Sequence, residues 1–176
     1  MQNKLAAGAP FPEITVPQIG GGTLTLGQPR NGHDWQLVVV YRGKHCPVCT
    51  TYIKKLNGLT ERLHGLGIDV IAVSADSLDR AEPHVADMEV SVPIGYDLSV
   101  DQMKQLGVYI SHPRSDKESP RPFSEPGIFV INAEGTLQVT DISNGPFVRP
   151  DLETLTGGLG FIRNPENNYP IRGTLS

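Results

Sequence analysis

The sequence predicts an α/β fold built on a βαβ unit, preceded by an N-terminal arm or hairpin. Three observations carry this. Leu37-Val38-Val39-Val40-Tyr41 and Asp69-Val70-Ile71-Ala72-Val73-Ser74 are unbroken, largely β-branched runs, the pattern of strands buried on both faces. Between them, apolar residues recur at spacings of three and four, as on one face of a helix. Strand, helix, strand over this span is a βαβ unit, whose crossover is right-handed.

In chain order, residues 1–36 are rich in Gly and Pro, with one alternating run at Thr23-Leu24-Thr25-Leu26, and read as a peripheral arm or hairpin. The first core strand breaks at Gly43. A helix starts at Pro47, with Val48, Tyr52, Leu56, Leu59, Leu63 and Leu66 on its apolar stripe and Gly65 and Gly67 ending it. A helix near Leu78–Met88 precedes a short segment at Val92–Gly95. Ser99 and Gln102 form a capping box for a helix that stops at Leu106-Gly107. Residues 111–126, with four prolines and alternating charges, read as a surface loop long enough to be functional. Ile128–Ile131 and Leu137–Thr140 flank a turn and form a hairpin, and Leu152, Leu155, Leu159 and Ile162 mark a last helix. No repeat or composition shift divides the 176 residues, so one domain over 1–176 is expected.

Composition excludes several functions. Nineteen acidic against 15 basic residues give a net charge of -4, which argues against a nucleic-acid binder. No run approaches a membrane span, and the first residues lack the apolar core of a signal peptide, so a cytoplasmic location is expected.

The two cysteines, Cys46 and Cys49, exclude a disulfide-rich scaffold, and they sit together where a buried strand turns into a helix. With Pro47 as first helical residue, Cys46 is the N-cap, where free N–H groups and the helix dipole favour a thiolate. Cys49 lies one turn in, within reach for a disulfide. Arg42, Lys44 and His45 add positive charge nearby. Such a pair cycles rather than staples in a reducing compartment. Two other readings stay open. One is a zinc half-site, although His33, His45, His64, His84 and His112 show no paired metal spacing; the other is a pair of inert core thiols. Arg42 could hold an anionic oxygen or lie on the surface, and His45 could tune Cys46 or be solvated. Pro126, just before a strand, could be cis and face the cysteines or be a trans edge proline. Arg114, Lys117 and Arg121 read as solvated, Trp35 as packing, and Asp151 and Glu153 as helix-start charges.

The run Val38–Cys49, VVVYRGKHCPVC, resembles the strand–Tyr-Arg-Gly-x-x-Cys-Pro-x-Cys signature of peroxiredoxin-like proteins of the AhpC/TSA (redoxin) group. The likeness extends from Ala9-Pro10-Phe11 to the Phe129–Gly135 hairpin. It implies a thioredoxin-like fold, a central mixed sheet with helices on both faces, with Cys46 as the attacking cysteine at the start of the first core helix. Peroxiredoxins proper carry Pro-x-x-x-Thr/Ser-x-x-Cys and a later Arg; here Val39, Gly43 and Pro126 stand at those positions. Pro126 instead matches the cis-proline position of thioredoxin-type oxidoreductases.

The resulting expectation is a thiol-dependent oxidoreductase that reduces hydroperoxides through a Cys46 sulfenic acid and a Cys46–Cys49 disulfide. Cys46, Cys49 and Arg42 are its catalytic residues, and Gly43, His45 and Pro126 its substrate contacts. It needs no cofactor or metal, and a thioredoxin- or glutaredoxin-type dithiol regenerates it. The alternatives are a protein-disulfide reductase using the same pair and a non-enzymatic redox-sensing or metal-binding module. The resemblance also admits a homodimer.

Overall fold

The computed structural model describes residues 3–176. Strands β1 (Ile14–Pro17) and β2 (Thr23–Leu26) form the antiparallel N-terminal hairpin. The central sheet holds β3 (Trp35–Val40), β4 (Ile68–Val73), β5 (Ile94–Gly95), β8 (Gly127–Ile131) and β9 (Leu137–Ile142). Their spatial order is β5-β4-β3-β8-β9, with β3, β4 and β5 parallel and β8 and β9 antiparallel to their neighbours. This is the mixed sheet of a thioredoxin-like fold.

Every residue of β3 and β4 is buried, as their unbroken apolar runs require. Side chains alternate between faces along a strand, so β3 divides its residues between two cores. Leu37, Val39 and Tyr41 join the core that contains Cys46, Cys49, Ile53 and Leu56. Val38 and Val40 join the opposite core, with the hairpin's Ile14, Val16, Leu24 and Leu26. Polar side chains lock the arm to the sheet: Arg30 Nε and Nη2 donate to Asp69 over 3.1 and 3.0 Å, and Gln36 Nε2 donates to the same carboxylate over 3.0 Å.

The helix that starts at Pro47 is two helices, α1 (Pro47–Gly58) and α2 (Thr60–Gly65). The junction is Leu59, whose N–H bonds Leu56 O in a tighter turn, and whose side chain then packs into the core. Val48 is off the apolar stripe and exposed; Cys49, Ile53 and Leu56 line the buried face. Helix α3 (Leu78–Met88) follows β4, and α4 (Val100–Leu106) carries the capping box of Ser99 and Gln102 and ends at left-handed Gly107. Helix α5 (Leu152–Arg163) is the last, N-capped by Asp151.

Residues 111–126 differ from a plain surface loop. Their end forms β7 (Phe123–Ser124), paired with β6 (Ile110–Ser111), and Ser119 and Phe123 to Pro126 are buried. The segment returns because β8 must enter the sheet beside β3, which draws the residues before Gly127 inward.

Candidate active site

The site is built where β3 ends. Val40 pairs with Gly127 in the β3–β8 register, so Tyr41 and Pro126 come next at one end of the sheet. The chain then turns through Gly43, at φ +128°, a conformation that side chains rarely adopt. A Cβ there would lie 2.7 Å from Asp76 Oδ2. Asp76, between β4 and α3, is buried; it accepts the Lys44 N–H over 2.8 Å and pairs with Arg80 at 3.3 Å. Glycine lets the turn lie against this carboxylate, and Cys46 N closes the turn on Gly43 O at 3.2 Å.

Cys46 is the N-cap of α1. Its φ and ψ of -114° and 98° are extended, Pro47 follows as first helical residue, and Cys46 Sγ accepts the Cys49 N–H over 3.3 Å. Hydrogen bonds from the Cys49 thiol and backbone, together with the Arg42 guanidinium, lower the Cys46 thiol from 9.0 to about 6, against the opposing effect of burial. Cys49 moves the other way: its bond to Cys46 and its burial push the thiol up, and Arg149 offsets part of this. Both thiols are free, and their residues are 2% and 0% exposed.

Arg42 is fixed from the far end of the Pro-rich segment. Its Nε lies 3.0 Å from Glu125 Oε2, and its guanidinium carbon lies 4.9 Å from the Phe123 ring centroid. Glu125 is buried and also accepts Ser111 Oγ–H over 2.8 Å. His45 meets the same Phe123 edge-on at 4.5 Å, and burial lowers its pKa. Neither of its ring nitrogens has a hydrogen-bond partner among the described residues. A cavity of about 500 Å³ opens beside His45, lined by Arg114, Ser115, Lys117 and Glu118. The larger cavity, about 710 Å³, lies under the C-terminal tail and touches neither cysteine.

Of the residues expected at the site, Arg42, Gly43, His45, Cys46 and Cys49 lie within the single segment 42–49, and the sheet brings Pro126 to the same end. The peptide bond before Pro126 is trans, as no described residue has a cis bond. Three residues at the site carry no signal in the sequence. Asp76 and Glu125 are buried acids in loops, and Arg149 donates Nη2 to Cys49 Sγ over 3.3 Å from 100 residues away. No local pattern marks them; each is placed by the folded chain. Among the described residues, no group of three or more His, Cys, Asp or Glu side chains is arranged to hold a metal ion. No helix there is long and apolar enough to cross a membrane.

The profile of the AhpC/TSA family matches residues 7–140, which include the whole cysteine turn and the β8–β9 hairpin. The chain belongs to the AhpC/TSA family. It is thus a peroxiredoxin-like redox enzyme with a Cys-x-x-Cys couple. Solved structures share its fold at low identity. A peroxiredoxin-like protein from Aquifex aeolicus superposes with a TM-score of 0.72 at 19% identity, covering 89% of this chain and 87% of its own. A cysteine-to-serine mutant of peroxiredoxin 6 of Arenicola marina gives 0.77 at 16% identity, covering 92% and 75%. AhpC of Mycobacterium bovis gives 0.73 at 16% identity, covering 99% of both chains. A comparison with curated proteins returns no match.

Proposed function

We propose that this enzyme reduces hydroperoxides by thiol catalysis, with Cys46 as the attacking residue and Cys49 as its partner. The observation that carries it is the buried N-cap thiol of Cys46, lowered to about 6 by Cys49 and Arg42. At neutral pH this sulfur is a thiolate.

The Cys46 thiolate attacks one peroxide oxygen, the O–O bond breaks, and the other oxygen leaves as water or alcohol after taking a proton. Arg42, held by Glu125, stabilises the negative charge that develops on the oxygens. His45, beside the opening, and Gly43 and Pro126, at the same end of the sheet, contact the substrate. Cys46 is now a sulfenic acid, and Cys49 condenses with it to a disulfide and water. A thioredoxin- or glutaredoxin-type dithiol then reduces the pair, which fits a reducing compartment such as the cytoplasm.

A second reading, reduction of protein disulfides by the same pair, is favoured by Gly43, which offers a peroxide no hydroxyl donor. Stopped-flow mixing of the reduced enzyme with hydrogen peroxide or an organic hydroperoxide separates the two. Cys46 sulfenic acid forming much faster than at an unactivated thiol supports peroxide reduction. Formation no faster than that, with rapid reduction of insulin disulfides, transfers the assignment to disulfide exchange.

A further inference from the structure

Arg149 is held in a way that concerns Cys49 alone among the cysteines' described partners. Its Nη2 donates to Cys49 Sγ over 3.3 Å and to Pro146 O over 2.7 Å, and its Nε donates to Pro146 O over 3.0 Å. The guanidinium carbon lies 4.7 Å from the centroid of the Tyr52 ring. Tyr52, on α1, donates its hydroxyl to Pro150 O over 2.7 Å, so the loop and the helix that carries Cys49 grip each other on both sides of Arg149. The partners of this guanidinium are a sulfur, a carbonyl and an aromatic face. Its charge is left for the sulfur, whereas that of Arg42 is shared with Glu125.

We propose that Arg149 is a catalytic residue of the second half of the cycle, stabilising negative charge on the Cys49 sulfur as the disulfide forms and as it is reduced. This rests on the reading that Cys46 and Cys49 form a disulfide. In the resting enzyme the Cys49 proton is retained through its bond to the Cys46 thiolate. Oxidation of Cys46 to the sulfenic acid removes that negative charge. Cys49 first passes its proton to the sulfenic oxygen, and the resulting thiolate attacks Cys46 Sγ as the S–O bond breaks and water leaves. Charge grows on Cys49 in this step, 3.3 Å from Arg149 Nη2. In reduction, one thiolate of an external dithiol attacks Cys46 Sγ, and the S–S electron pair departs on Cys49, beside the same guanidinium. The second thiol of the dithiol attacks the mixed disulfide and frees the Cys46 thiolate. Its proton returns to Cys49, and the dithiol ends as its own disulfide.

The test compares wild type with Arg149→Met and Arg149→Lys, and with Arg149→Gln where the Met variant does not melt cooperatively. Reduced protein is mixed with hydrogen peroxide, and dimedone-trapped sulfenic acid and loss of both thiols are followed separately. Losing a charge-assisted hydrogen bond should slow disulfide closure relative to sulfenic acid formation by roughly tenfold to a hundredfold, with partial rescue by Lys. An unchanged ratio of the two rates overturns the proposal. Two readouts need no peroxide. In a Cys46→Ser background, where Cys49 is the sole cysteine, thiolate absorbance should titrate at higher pH once Arg149 is replaced. Diamide-formed disulfide should be reduced by dithiothreitol roughly tenfold more slowly or worse. If wild type forms no sulfenic acid, the peroxide reading fails while these two measurements still decide Arg149. An unmoved titration with an unchanged reduction rate rejects it.

Discussion

Cys46 and Cys49 are one residue type three positions apart, yet the protein treats them in opposite ways. Cys46 caps the helix, receives the Cys49 N–H and has an arginine from four residues upstream. Cys49 lies inside the first turn, its thiol is pushed up, and its arginine arrives from the loop before the last helix. The Cys46 side is mostly local: a strand end, a tight turn, a proline and a helix start. The Cys49 side exists only once the distant chain has packed. A helix N-terminus can make a nucleophile from a short segment, whereas a buried second thiol needs tertiary help to carry charge.

The largest effect belongs to Cys46→Ser, which should reduce peroxide turnover to the background of the buffer, measured by coupled dithiol consumption. Cys49→Ser should stop the cycle after one oxidation, leaving a sulfenic acid or mixed disulfide visible by mass spectrometry. Losing the Cys49 thiol as donor should also raise the Cys46 pKa by about one to two units. Gly43→Thr should destabilise the fold by about 2–4 kcal/mol in urea titrations, since the side chain meets Asp76 at a positive φ.

The pH dependence separates the two sulfurs further. Alkylation of Cys46 by iodoacetamide should rise through a midpoint at about 6 and level off above it. The same shift has a stability sign. The folded protein favours the Cys46 thiolate, so the contribution is complete above the ordinary thiol value of 9.0 and is lost as pH falls through about 6. The stability difference between wild type and Cys46→Ser should shrink over that window, as read by thermal melts. Smallest is Lys55→Ala: its contact with Asp151 at 3.4 Å is solvent-exposed, and its loss should leave the melting temperature within the scatter of repeat thermal melts.

The strands β3 and β4, helix α3, the capping box of α4 and the β8–β9 hairpin were all legible in the sequence, because period and capping chemistry are local properties. Cys46 as N-cap was legible for the same reason, through Pro47 beside it. The break at Leu59 was not, since the apolar stripe runs across it and core packing decides it. Residues 111–126 look solvated from their prolines and charges. Their end is nonetheless buried, because strand pairing at Gly127 overrides composition, and with it Glu125 reaches Arg42. Arg149 meets Cys49 across 100 residues, a distance over which no periodicity speaks.

The close approach of Gly43 to Asp76 also bears on how this enzyme can change. A hydroxyl at position 43 cannot be added by itself, because the space is taken by a carboxylate that also holds the Lys44 N–H and the Arg80 side chain. Shortening Asp76 to make room would release the turn that presents Cys46. The two positions therefore form a linked pair, crossed only by simultaneous replacement and a new anchor for the loop. In this chain the side chain at position 43 and the carboxylate beneath it are a single variable, and any redesign of one is a redesign of both.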